Sequence, residues 1–174
     1  QSAFFEPRQA EELYDIVQDP HQTTNLASLP KYANKLAELS AALTDWQVEQ
    51  RDAGLIPEPM LAELDRIEVI RDYVESEHYP VAEIVALAQA AGNRDMANLD
   101  LFVEQLQSED PVKSYWAATG LLLLGDGAQS EVTAMQTAMK HVLPWTGIVL
   151  AEALVRLGHE HLASIDLAGA LSSD

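Results

Sequence analysis

Two hydrophobic rhythms run along this chain. Near the start, Leu13, Ile16 and Val17, with Tyr14 between them, form a short β-prone run. Asp19-Pro20 ends it, because proline has no amide donor and fixes φ. One or two short strands are therefore expected within residues 1–17. Thr23, Thr24 and Asn25 favour turns or helix caps through their short polar side chains, and Pro30 stands where a helix can begin. Beyond it, Tyr32, Leu36, Leu39, Leu43 and Trp46 recur at spacings of four, three, four and three. That is one stripe on a helix over residues 30–50, packed against something.

Gly54, Pro57 and Pro59 mark a break. A second helix is expected from about residue 58 to 75, with Met60, Leu64, Ile67, Ile70 and Val74 on its apolar side, closed by Tyr79-Pro80. Then the pattern repeats. Gly92, Gly125 and Gly158 stand 33 residues apart, each after an Ala/Leu-rich run, and Pro111 and Pro144 keep the same period. A second amphipathic segment follows each glycine: Met96, Leu99, Phe102, Val103 and Leu106, then Val132, Met135, Met139 and Val142, then a shorter one from His161 to Leu171. Two helices per period, with a glycine cap between them, make an αα-hairpin that buries its apolar face by stacking on the next.

The stretch Glu12-Leu13-Tyr14-Asp15-Ile16, followed by Asp19-Pro20-His21-Gln22-Thr23-Thr24-Asn25-Leu26-Ala27 and by a helix ending near Trp46, resembles the C-terminal subdomain of the arylsulfatase-type sulfatases. The resemblance covers roughly residues 3–60, with Gln22 departing from the family's usual acidic residue. It implies a small strand-plus-helix subdomain that packs on a catalytic domain. It also implies a parent enzyme that hydrolyses a sulfate ester with a formylglycine, made from Cys or Ser in a Cys/Ser-x-Pro-x-Arg motif, beside a calcium site. This chain has no cysteine and no Ser-x-Pro-x-Arg. The expectation is a C-terminal piece of a longer sulfatase, itself not an enzyme and without cofactor, the calcium belonging to the parent's catalytic domain. Separately, Asp110-Pro111-Val112-Lys113-Ser114-Tyr115-Trp116-Ala117-Ala118 resembles the start of a HEAT repeat, whereas Leu143-Pro144-Trp145 matches less well.

Composition narrows the partners. Ten Lys and Arg against 28 Asp and Glu give a formal charge of −18. Such a chain repels phosphate backbones, anionic lipid and sulfated polysaccharide. The longest apolar run, residues 117–124, is too short to span a bilayer. No leader is visible at Gln1, and localisation is left open, the family resemblance implying a periplasmic or secreted parent.

Candidate chemistry is sparse. His159 and His161, two apart, do not share a helix face as a metal-ligand pair at i, i+4 would. Glu75, Glu77 and His78 read as a solvated helix end, His21 as a turn residue, and Gly125-Asp126-Gly127 as a turn that lacks a phosphate-binding lysine. Tyr115, Trp116 and Trp145 lie near the starts of successive repeat helices and would, if exposed, form an aromatic contact surface; core packing is the competing reading.

The expected architecture is mainly α: a strand-plus-helix subdomain at 1–57, a linking helix at 58–78, and about two and a half to three HEAT-like αα-hairpin repeats, an α-solenoid, at 79–174. The expected role is structural, with the parent's catalytic domain as partner and the repeats available for protein contact or self-association. Nucleic-acid binding and membrane insertion are excluded. The alternative is a free-standing acidic helical-repeat module that binds a basic protein. Closure over the substrate cleft of the parent or of a neighbouring subunit is neither supported nor excluded by the sequence.

Overall fold

Pro30 and Pro111 sit at the first positions of the helical segments they open, where the missing amide costs nothing. A computed structural model of the chain describes residues 9–66 and 68–163. They form eight α-helices joined by turns and short 3-10 segments, with no strand among the described residues. The chain divides into two compact units, residues 1–50 and 51–174.

In the first unit, residues 10–29 form a hydrogen-bonded turn system where a strand was expected. The Asp15 carboxylate accepts from the amides of Val17 and Gln18, each at 3.1 Å, and the Asp19 amide reaches the Asp15 carbonyl at 2.7 Å. Asp15 thus turns the chain at the point where the β-prone run would continue. Leu13 makes one extended rung, donating to Asn25 Oδ1 at 2.9 Å and accepting from the Leu26 amide at 2.8 Å. A strand needs a neighbour along its whole length, and this unit supplies one such contact. The part of the expected strand region in residues 1–8 lies outside the described residues. A 3-10 turn at Pro30–Tyr32 then leads into α1, Ala33–Glu49.

The expected helix over 58–75 is two helices, α2 (Glu58–Leu64) and α3 (Ile70–Glu75). The break falls between Leu64 and Ile70, where the sequence places the β-branched Ile67 and Val69, residues of lower helix propensity. Arg51, at φ +51°, turns its guanidinium onto the end of α3: it donates to the carbonyls of Val74 and Ser76 and, at 2.8 Å, to that of Tyr79. One side chain thus ties together three carbonyls at and beyond the end of α3, of which that of Tyr79 also accepts from the Val81 amide at 2.9 Å.

Four further helices pack around α6: α4 (Val81–Asn93), α5 (Leu99–Gln105), α7 (Val132–Ala138) and α8 (Pro144–Arg156) complete the unit with α6 itself (Pro111–Leu124). Helix α6 lies directly against α4, α5 and α8, while α7 packs on α8. Asp110 caps α6, accepting from the amides of Val112 at 2.9 Å and Lys113 at 3.0 Å. The core joins Leu87, Phe102, Leu106, Leu121, Met135, Leu150 and Leu154, each buried to within 4%. Each such side chain stabilises the fold by roughly 1.5–3 kcal/mol relative to exposure.

Small residues on α6 make this packing feasible. Ala117, Ala118 and Gly120 are buried, and a Cβ added at Gly120 would lie 2.6 Å from the Phe102 ring. Glycine ends the 33-residue period at Gly125 (φ +54°) and Gly158 (φ +80°), but not at Gly92, which is inside α4. There Arg94 takes the left-handed conformation at φ +53° and donates its amide to the Ala91 carbonyl. The αL position sits two residues later than expected, on a residue that pays a steric cost for it. Where the third repeat's second segment begins, the described residues form a 3-10 turn at Glu160–Leu162, and its remainder lies outside the described residues.

The two glycines separate experimentally. Gly120→Ala should destabilise the protein by about 1–3 kcal/mol in urea denaturation, because a buried ring must move. Gly92→Ala, with nothing within 4 Å of the added Cβ, should instead stabilise it by up to about 1 kcal/mol.

Candidate functional site

The motif that organises the first unit is closed by two side chains. The Asp19 carboxylate accepts from the amides of Thr23 (2.7 Å) and Thr24 (2.8 Å) and from the Thr23 hydroxyl (3.1 Å). The Thr24 amide contributes most to holding its pKa below the usual carboxylate value. Asn25 works in both directions: its Oδ1 accepts from the amides of Leu13 and Ala27, and its Nδ2 donates to Gln9 Oε1 and to the Glu11 carbonyl. Thr23, Thr24 and Asn25 thus serve the turn, and no side chain caps the helix that follows. His21 is exposed within this turn.

A clasp of this kind fixes backbone; it offers no buried nucleophile or acid–base pair. What the first unit presents is apolar surface. No described residue of it is buried. Ile16 and Val17 are 67% and 80% exposed, and on α1 Leu39, Leu43 and Trp46 are 48%, 56% and 54% exposed. The stripe read from the sequence is present: Tyr32 and Leu36 are half-buried, while Leu39, Leu43 and Trp46 are left exposed among the described residues. Leu13 is half-buried, and Phe4 and Phe5 lie outside the described residues.

The three aromatic candidates of the repeats are placed differently. Trp116 is half-buried against the core, and its Nε1 donates to the Leu55 carbonyl at 2.8 Å, tying α6 to a loop 61 residues away. Tyr115 meets Trp116 edge-on, with ring centroids 5.9 Å apart. Trp145 is half-buried, makes no ring contact with either, and its shielded Nε1 has no hydrogen-bond partner. The structure brings Tyr115 and Trp116 together and leaves Trp145 apart. The exposed aromatic is Trp46, which sequence reasoning assigned to a core stripe; periodicity reports that a face is apolar without saying where its partner resides.

Groups suited to chemistry are scarce. Among the described residues, no three or more His, Cys, Asp or Glu are grouped to hold a metal ion. The His159 and His161 rings are 6.1 Å apart, and His159 Nε2 shares a hydrogen bond with Gln129 Nε2 at 2.8 Å. Two tyrosines have perturbed titration. Burial, helped by the charges of Asp110 and Glu68, pushes Tyr73 up to about 12. Burial, then the Asp52 carboxylate, raises Tyr79 further, and its hydroxyl donates to the Asp52 carbonyl at 2.7 Å. Their rings lean together at 5.6 Å, within the loop that Arg51 closes. These are structural phenols.

Comparison with known proteins adds one finding. Over 58 residues, 33% of this chain, it is 40% identical to the "Ulvan-active sulfatase" of Formosa agariphila. Part of the chain is similar to a sulfatase. The matched stretch is 10% of that protein, so the chain corresponds to a small fraction of its relative's length. No family model matches the chain, and no solved structure does.

The tyrosines generate a pH prediction. In the unfolded chain both titrate near the ordinary value of about 10, whereas folding raises their pKa. Folded protein therefore holds protons that unfolded protein releases. Their contribution should be complete below pH about 10 and be lost as pH rises toward and through about 12. Tyr79→Phe should shrink that alkaline loss in pH-dependent urea melts. At neutral pH it should cost about 0.5–1.5 kcal/mol for the missing bond to Asp52.

Proposed function

We propose that this chain is a non-catalytic C-terminal region of a sulfatase, a sulfuric ester hydrolase whose reactive residues and calcium site lie in a separate catalytic domain. The observation that carries the reading is the first unit: it has a tightly clasped turn, an amphipathic helix and no buried residue among those described. The local identity to a sulfatase supports it. In this reading Ile16, Val17, Leu39, Leu43 and Trp46 pack on the catalytic domain, and the extended rung at Leu13 continues into a sheet that the domain supplies. Each large side chain covered this way would contribute roughly 1.5–3 kcal/mol to holding the region in place.

The second unit serves as a HEAT-like helical array for protein contact or self-association. Its helices α6 and α8 begin 33 residues apart and pack side by side around a closed core. That closed core is also what favours the second reading, an acidic helical module that works without a sulfatase, since such a unit can fold alone.

The coding sequence upstream of Gln1 decides between them. A Cys or Ser in x-Pro-x-Arg context with acidic metal ligands around it is the expected result; a start codon within a few residues would overturn the sulfatase reading. In the longer protein, Leu43→Ser with Trp46→Ser should lower Tm and the yield of active enzyme. The same pair in the 174-residue chain should leave stability nearly unchanged, as surface substitutions do.

A further inference from the structure

The turns that follow α4 and α6 touch through one side chain. The first is a 3-10 turn, Met96–Asn98, opened by Asp95, whose carboxylate accepts from the Ala97 amide at 2.9 Å. The second is the 3-10 segment Gly125–Glu131, which holds the fully buried Ala128. Met96 lays its thioether on Gly127 so closely that a Cβ there would overlap Sδ. Glycine at this position is what admits the sulfur.

One helix pair further on, the same place in the array is bridged again. Gln129 stands 33 residues after Met96, and its Nε2 meets His159 Nε2 at 2.8 Å. Successive junctions between helix pairs are thus each spanned by a side chain from the earlier turn. At the first junction it is a thioether, and at the second an amide facing an imidazole.

This difference matters chemically, because a thioether can be oxidised. The chain has four methionines. Met60 and Met135 are fully buried, Met139 is half-buried against the core, and Met96 is 48% exposed. Peroxide reaches a thioether through solvent, so exposure sets the order in which the four react. In the reaction a sulfur lone pair attacks one peroxide oxygen and the O–O bond breaks. The transferred oxygen gives its proton to the departing hydroxide, which leaves as water, and sulfur loses the two electrons that the peroxide gains. The sulfoxide is polar and larger by one oxygen, so it no longer suits a seat that fits a bare sulfur against backbone.

We propose that Met96 is a modification site for hydrogen peroxide, and that its sulfoxide releases Gly127 and loosens the junction between the first and second helix pairs. The loosening is local, since Met96 lies outside the core that joins Phe102, Leu121 and Met135. The inference rests on the helical unit alone and stands whether or not the chain belongs to a sulfatase.

The test treats the whole 174-residue chain with increasing hydrogen peroxide, maps each methionine by peptide mass spectrometry and follows native-state amide exchange by heteronuclear NMR. Met96 should gain its oxygen at least about tenfold faster than Met60 or Met135. In the singly oxidised protein, amides of residues 96–98 and 127–130 should exchange about tenfold faster, while those around Leu121 keep their rates. Methionine sulfoxide reductase with a thiol reductant should reverse both the added mass and the faster exchange. Met96→Leu, apolar and close in volume, should show slow exchange before and after peroxide, whereas Met96→Gln should show fast exchange without it. Oxidation of any other methionine ahead of Met96 would overturn the proposal. So would unchanged exchange in the singly oxidised protein, or the same acceleration in peroxide-treated Met96→Leu.

Discussion

Helix α6 must be narrow where its neighbours cross it. It touches α4, α5 and α8, so it has no single apolar face, and its sequence is apolar nearly all round. Ala117, Ala118 and Gly120 let the other helices approach, and Phe102 then fills the space over Gly120. Leu121, fully buried beside them, joins the same core. Close-packed interiors tolerate little change in volume at such a crossing, so the positions of α5 and α8 follow from the small residues of α6.

Hydrogen bonds fix the ends of this helical unit. Arg51 gathers the carbonyls after α3, Tyr79 reaches back to Asp52, and Trp116 binds the Leu55 carbonyl, so the loop before α2 is tied to both α3 and α6. Asp110 caps α6 at its start, and glycine in a conformation that other residues adopt only with strain ends it. The first unit is held otherwise. Asp19 and Asn25 satisfy its turn locally, and Ile16, Val17, Leu39, Leu43 and Trp46 remain largely in water. Hydrogen bonds can shape a segment of this size, but they contribute little net stability; an apolar face left in solvent contributes none.

The helices were legible because their signals are local. Apolar residues at spacings of three and four define α1 on the sequence alone, and proline at the first helical position with aspartate before it marks the start of α6. A β-prone run reports a preference, while a ladder requires a second chain segment that the described residues of this unit do not provide. The linking helix was read as continuous because the apolar spacing ran through its break, where β-branching prevailed over pattern. At Gly92 the 33-residue period pointed to a cap, and tertiary packing carried α4 past it to Arg94. The space between α4, α5 and the start of α6 could not be read at all: Leu87, Leu101, Gln105 and Lys113 come from three helices, and only their packing brings them around it. Trp116 and Trp145 look equivalent in sequence, yet one indole finds a carbonyl and the other does not.

The central claim is that the helical unit owns a core, whereas the described residues of the first unit do not form one. Native-state hydrogen exchange on the 174-residue chain tests it directly, because protection reports the free energy of the opening that exposes each amide. The account predicts that amides in the middle of α6, around Ala118 and Leu121, exchange only through global unfolding, while those of α1 exchange through local opening orders of magnitude faster. Equal protection in α1 and α6 would contradict it, since α1 would then have a packed partner within the chain itself.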